Sequence, residues 1–107
     1  MGRIIEIEVG EKTYILEFNR RTLLRAVDIQ AKVKKELPAI EQFNLLCEFI
    51  RIAFLKNHPD ITQAEVDSVI DALDDFEGFI ESLTKVLEES VNVLKEKKGN
   101  ARWEVKN

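Results

Sequence analysis

Few side chains in this sequence could do chemistry, and each has a simpler use. His58 is the only histidine, so a His-rich metal site is impossible and acid–base work would rest on one loop residue. Its simpler use is to bond the last carbonyls of the helix before it. Cys47 lies in an apolar stretch with no histidine near it in sequence, which suits a small buried hydrophobe rather than a nucleophile. Asp71, Asp74, Asp75, Glu77 and Gly78 crowd together as a calcium loop would. They lack the alternating acidic ligands and closing glutamate of such a loop, and read as a solvated acidic bend. Gly2, Gly10, Gly78 and Gly99 are scattered, so no glycine-rich phosphate loop exists. The expectation is a protein that is not an enzyme, with no catalytic residue, no metal ligand and no cofactor.

Size and charge set the frame. A chain of 107 residues, 45% hydrophobic and 34% charged, fits one soluble domain with one modest core. No apolar run is long enough to span a bilayer, and a single cysteine fits a reducing compartment. The net charge of −4 argues against general nucleic-acid binding. Its distribution is uneven. Arg20, Arg21, Arg25, Lys32, Lys34 and Lys35 fill one segment against Asp28, while residues 60–89 are acidic with Lys85 as the one base. Both segments read first as solvated faces, and the opposed charge could also be met within the fold or between subunits.

The elements that position these residues are legible in the periodicity. The expected fold is α+β, mainly α: an N-terminal β-hairpin, then about four helices packed around a central apolar helix. The hairpin covers 3–18, with Gly10-Glu11 as a two-residue type II′ turn. That loop pairs Val9 with Lys12, Ile7 with Tyr14 and Ile5 with Leu16, so the apolar residues of both strands share one face. Both hairpin edges carry unpaired backbone groups. They are free to pair between subunits or are blunted by Glu6, Glu8, Glu11 and Lys12. Asn19 caps a first helix over about 20–36. The central helix spans about 39–57, with Glu41, Asn44, Glu48 and Arg51 on one polar stripe and nearly everything else apolar. Such a helix should be covered by neighbours over most of its circumference, with Leu55 turned to a partner. Pro59 ends it. Thr62 and Glu65 form a capping box, and Ile61 and Val66 a hydrophobic staple, for a third helix over about 63–73. A bend at 74–78 leads to the last helix, about 79–97. Residues 1–98 thus form a single domain and 99–107 a short C-terminal tail.

Three features hint at partners. Arg20 and Arg21 occupy a first helical turn, against the helix dipole. Glu17 and the acidic C-terminal half should neutralise them; otherwise they face a partner. Trp103, flanked by Arg102 and Lys106, is either a docking anchor or folded back on its own domain. The second and third helices share the short connection of a helix-turn-helix. However, the would-be recognition helix carries Glu65, Asp67 and Asp71 and no cation for phosphate.

Several segments resemble a known family. They are Tyr14-Ile15-Leu16-Glu17-Phe18-Asn19-Arg20-Arg21-Thr22, Ala53-Phe54-Leu55-Lys56-Asn57-His58-Pro59, Phe79-Ile80-Glu81-Ser82-Leu83 through Glu88-Glu89-Ser90-Val91-Asn92-Val93-Leu94, and Gly99-Asn100-Ala101-Arg102-Trp103-Glu104-Val105. In order and spacing they resemble the small tail assembly chaperones of long-tailed phages and prophages, especially those of Gram-positive bacteria. The stretch Leu23 to Val33 departs from the family's look, being plain amphipathic helix. The resemblance implies a protein that binds and solubilises the tape-measure protein in the host cytoplasm and is absent from the mature virion. The tape-measure protein is the implied partner, with the tail-tube protein as a further candidate. A homo-oligomer is expected, and neither nucleic acid nor membrane is an expected partner. Arg20, Arg21, Leu55 and Trp103 are the expected protein-binding residues. The alternative is a small phage or plasmid regulator that binds nucleic acid.

Overall fold

The computed structural model describes residues 4–33, 36–96, 99 and 101–106. The chain runs β1 (Ile5–Val9), β2 (Lys12–Leu16), α1 (Arg20–Val33), α2 (Ala39–Phe54), α3 (Gln63–Ala72) and α4 (Phe76–Glu96). This is the expected α+β, mainly α, arrangement.

The hairpin has the register its loop dictates: Ile5 faces Leu16, Ile7 faces Tyr14 and Val9 faces Lys12. Gly10 takes φ +61° and Glu11 stays on the negative side, the pattern of a type II′ turn. The paired residues nearest the loop exchange hydrogen bonds, so the backbone groups of Glu6 and Glu8 on β1, and of Thr13 and Ile15 on β2, point outward.

The outer edge of β2 is not free, contrary to the expectation that both edges lie open. The end of α2 closes it. The Ile15 N–H donates to Nε2 of His58 at 3.1 Å, and the Asn57 side-chain amide donates to the Ile15 carbonyl at 3.2 Å. The Glu17 N–H then donates to the Ala53 carbonyl at 3.1 Å. His58 therefore serves the strand with its ring, and only its backbone N–H serves α2, donating to the Phe54 carbonyl at 2.8 Å. This division of labour ends α2 at Phe54 rather than Asn57. The Asn57 and His58 side chains can meet a strand edge only from a turn.

Below this junction lies the core. Phe49, Ile50, Ile52, Ala53 and Phe54 of α2 are buried, with Leu16, Val66, Leu83 and Leu87 around them. Phe18 stacks on Phe49 at 5.9 Å between ring centroids. Tyr14 meets Phe54 edge-on at 5.5 Å and His58 at 5.3 Å. Burying a residue such as Phe54 contributes on the order of 2–3 kcal/mol.

Helix starts follow local chemistry. Asn19 caps α1 reciprocally with Thr22: the Thr22 N–H donates to Oδ1 of Asn19 at 2.9 Å, and the Asn19 N–H donates to Oγ1 of Thr22 at 3.0 Å. For α3 the Thr62 half of the capping box forms, and Ile61 and Val66 are buried as a staple requires. Glu65 does not reach back; it accepts a 2.6 Å hydrogen bond from the Tyr14 hydroxyl instead. The acidic bend is shorter than its composition implies, because Asp75 caps α4. It sits at φ +49° and its Oδ1 accepts from the Gly78 N–H at 3.1 Å. A side chain at position 78 would run into the Asp75 carboxylate, so glycine here permits the cap instead of breaking a helix. The expected end of the first helix at 36 is not reached, since Glu36 is already outside helix; the described part of α1 runs to Val33. Positions 34–35 lie outside the described residues, as do 97, 98 and 100 near the expected end of the last helix.

Glu17 ties the junction together. Its carboxylate accepts from the Lys56 ammonium at 2.9 Å and from the Asn57 amide at 3.1 Å. The Lys56 contact first, and Asn57 second, hold this carboxyl below its ordinary value of 4.5. A depressed carboxyl stabilises the fold above its unfolded pKa, and that stability is lost as pH falls through the folded pKa. Glu17→Gln should therefore be less stable than the parent at pH 7, with the gap closing below about pH 4.5. Urea titrations of both proteins across this range check the point. A gap unchanged down to pH 3 would contradict it.

Candidate binding groove

The expectation that α2 is covered on most sides holds for its second half only. Ile40 is 72% exposed and Phe43 49% exposed; Phe43 lies on the apolar side of the helix, while Ile40 borders the polar stripe near Arg51. α1 packs on α2 without covering these residues. Leu24 and Val27 of α1 are exposed as well. Phe43 has one aromatic neighbour, Phe76 at the start of α4, at 6.2 Å.

Between α2 and α3 the surface opens into a groove of about 610 Å³. Phe43, Cys47, Ile52, Leu55 and Ile70 supply its apolar surface. Its polar residues are of both signs, with Arg25 and Arg51 against Glu48, Asp67 and Asp71, joined by Asn44 and Gln63. Neither arginine forms an ion pair among the described residues. The Arg51 Nε is buried and has no hydrogen-bond partner there, a group whose burial costs free energy until something accepts from it. A second, shallower hollow of about 410 Å³ adjoins it, sharing Asn44 and Glu48 and adding Leu37 and Leu45. The polar stripe of α2 thus runs between two depressions.

Of the residues expected to bind protein, Leu55 lies in the main groove, half-buried where α2 ends. The other three are elsewhere. Arg20 and Arg21 are exposed at the start of α1, and the expected neutralisation by Glu17 does not occur, because Glu17 is engaged by Lys56 and Asn57. Arg20 borders a small hollow with Phe18, Leu23, Val93 and Leu94. Trp103 is 87% exposed on a segment outside any helix or strand, so it is not folded back on the domain. Sequence spacing missed Arg25, which α1 brings to the groove, and Asp67 and Asp71, which come from α3. The i, i+4 step from Asp67 to Asp71 marks one face of α3, but nothing local assigns that face to α2.

The chain belongs to the DUF5055 family. The match to this domain of unknown function covers residues 1–107. No curated protein and no solved structure matches the chain. Within this family member, no group of three or more His, Cys, Asp and Glu side chains suited to a metal ion occurs among the described residues. Among them, too, no helix is long and apolar enough to cross a membrane.

Cys47 reports on the groove. Partial burial raises its thiol pKa above the ordinary 9.0, and the charges of Asp67 and Asp71 raise it further. The thiolate fraction near neutrality is correspondingly small. Labelling by Ellman's reagent at pH 8 should be several-fold slower than for free cysteine, and the Asp67→Asn, Asp71→Asn double variant should recover part of that difference. Labelling at the rate of free cysteine would contradict this picture of the groove.

Proposed function

We propose that this chain is a tail assembly chaperone whose α2–α3 groove holds an apolar helical stripe of a tape-measure protein during phage tail morphogenesis. The observation that carries the reading is the incomplete cover of α2. A helix this apolar leaves Ile40 and Phe43 in solvent, Phe43 on a groove that Cys47, Ile52, Leu55 and Ile70 also line, and exposed apolar groups gathered in this way mark interaction sites. An amphipathic helix laid in a groove is read through apolar anchors at helical spacing, with polar flanks at the rim. Arg25 and Arg51 on one hand, and Asp67 and Asp71 on the other, suit a client whose flanks carry both charges. The resemblance of the Asn19-Arg20-Arg21-Thr22 region and of the segment around Leu55 to small tail chaperones supports the same reading. On this reading the chain acts in the host cytoplasm, associates with itself, meets the tail-tube protein only through the client, and leaves before the virion is complete.

A nucleic-acid-binding regulator is the competing outcome. The exposed face of α3 is acidic, with Asp67 and Asp71 and no Lys or Arg, which disfavours phosphate contacts.

The test is co-expression with helical fragments of a tape-measure protein, followed by affinity capture and titration calorimetry. Phe43→Glu and Leu55→Glu should each weaken binding about tenfold or more, with helical circular dichroism unchanged. Arg20→Glu with Arg21→Glu should weaken it less. Unchanged binding in the arginine variant would remove those two residues from the site. No fragment binding, together with salt-sensitive retention of duplex DNA, would replace the chaperone reading with the regulator.

A further inference from the structure

The outer edge of β1 is the one strand edge that no described element covers. Glu6 and Glu8 direct their backbone groups away from β2, and the sheet has only its two strands. Along this edge the apolar face is incompletely covered too. Ile5 and Val9 are half-buried, whereas Tyr14 and Leu16 on β2 are buried. An open edge of this kind is a template for another strand.

The segment 101–106 reads as such a strand. Ala101, Trp103 and Val105 alternate with Arg102, Glu104 and Lys106, the period of a half-buried strand. Each of these residues is exposed, with Trp103 at 87% and Val105 at 82%. No hydrogen bond among the described residues joins the segment to its own domain.

We infer that this segment adds to the β1 edge of a second copy of the chain, giving a strand-exchanged dimer. Charge and pattern select the arrangement. With antiparallel pairing and Arg102 opposite Glu6, Ala101 lies opposite Ile7 and Trp103 opposite Ile5. The apolar residues then continue the face that packs on the helices, and Trp103 covers the half-buried Ile5. Glu104 falls opposite Ile4, clear of both glutamates. A second copy supplies the acceptor edge, since no hydrogen bond among the described residues joins the segment to its own hairpin. The inference goes beyond client binding and needs only copies of this chain.

Analytical ultracentrifugation over a range of concentrations, with the emission of Trp103, tests it. The intact chain should dimerise with a blue-shifted tryptophan, and the chain lacking 101–107 should be monomeric with the same far-ultraviolet dichroism. Glu6→Arg and Arg102→Glu should each weaken the dimer about tenfold, since every exchanged dimer contains the pair twice. Both changes in one chain should restore it. Three results would each overturn the inference: a dimer that survives removal of 101–107, a monomer with solvent-like tryptophan emission at every concentration, or a monomer whose tryptophan is already buried.

Discussion

Everything else in this fold depends on how the outward backbone groups of Ile15 are satisfied. A two-stranded hairpin is marginal alone, and a helix packed on its face still leaves two rows of orphan groups at the edges. Here the turn after α2 supplies an acceptor from His58 and a donor from Asn57, four and three residues after the Phe54 that anchors the core. One short segment, from Phe54 to His58, thus fills the core and completes the strand that covers it. Tyr14 extends the junction to α3 by donating to Glu65, so hairpin, central helix and third helix meet around Tyr14, Phe54 and His58. The only histidine is structural in this arrangement. Its Nε2 accepts from the Ile15 N–H.

That junction makes α2 asymmetric. Phe49, Ile50, Ile52, Ala53 and Phe54 of its second half are buried, while Ile40 and Phe43 of its first half are exposed. Ile40, Phe43 and the floor of the groove follow from this geometry. They are not a packing fault at a chain end. Arg51 shows the same tension, because its guanidinium sits over the groove with Nε buried and unpartnered. On the proposed reading, a client helix that brings apolar side chains and an acceptor would relieve both features.

Much of this was legible in the residues. Strict alternation and a two-residue loop leave the hairpin one register, and the cap and staple at Ile61, Thr62 and Val66 mark a helix start without ambiguity. Two of the errors share a cause: a local signal met a distant partner. Glu65 has capping-box spacing, but the Tyr14 hydroxyl, 51 positions away, takes its carboxylate. Glu17 stands near Arg20 in sequence, yet Lys56 and Asn57 claim it. Gly78 resembles a helix breaker, and instead gives room to the Asp75 cap, so α4 begins at Phe76 rather than Phe79. At the site, Leu55 was legible because the polar stripe of α2 breaks there. Arg25, Asp67 and Asp71 were not, since only the packing of α1 and α3 brings them to one groove.

Amide hydrogen exchange of the dilute chain, read residue by residue, tests the central claim most directly. The Ile15 and Glu17 amides should be protected as well as those of Ile50 and Phe54, because opening them requires the end of α2 to leave the hairpin. The Glu6 and Glu8 amides, on the open edge, should exchange quickly. If Ile15 exchanged as fast as Glu6, the turn after α2 would not be closing the strand, and the account of why the first half of that helix is left uncovered would fail with it.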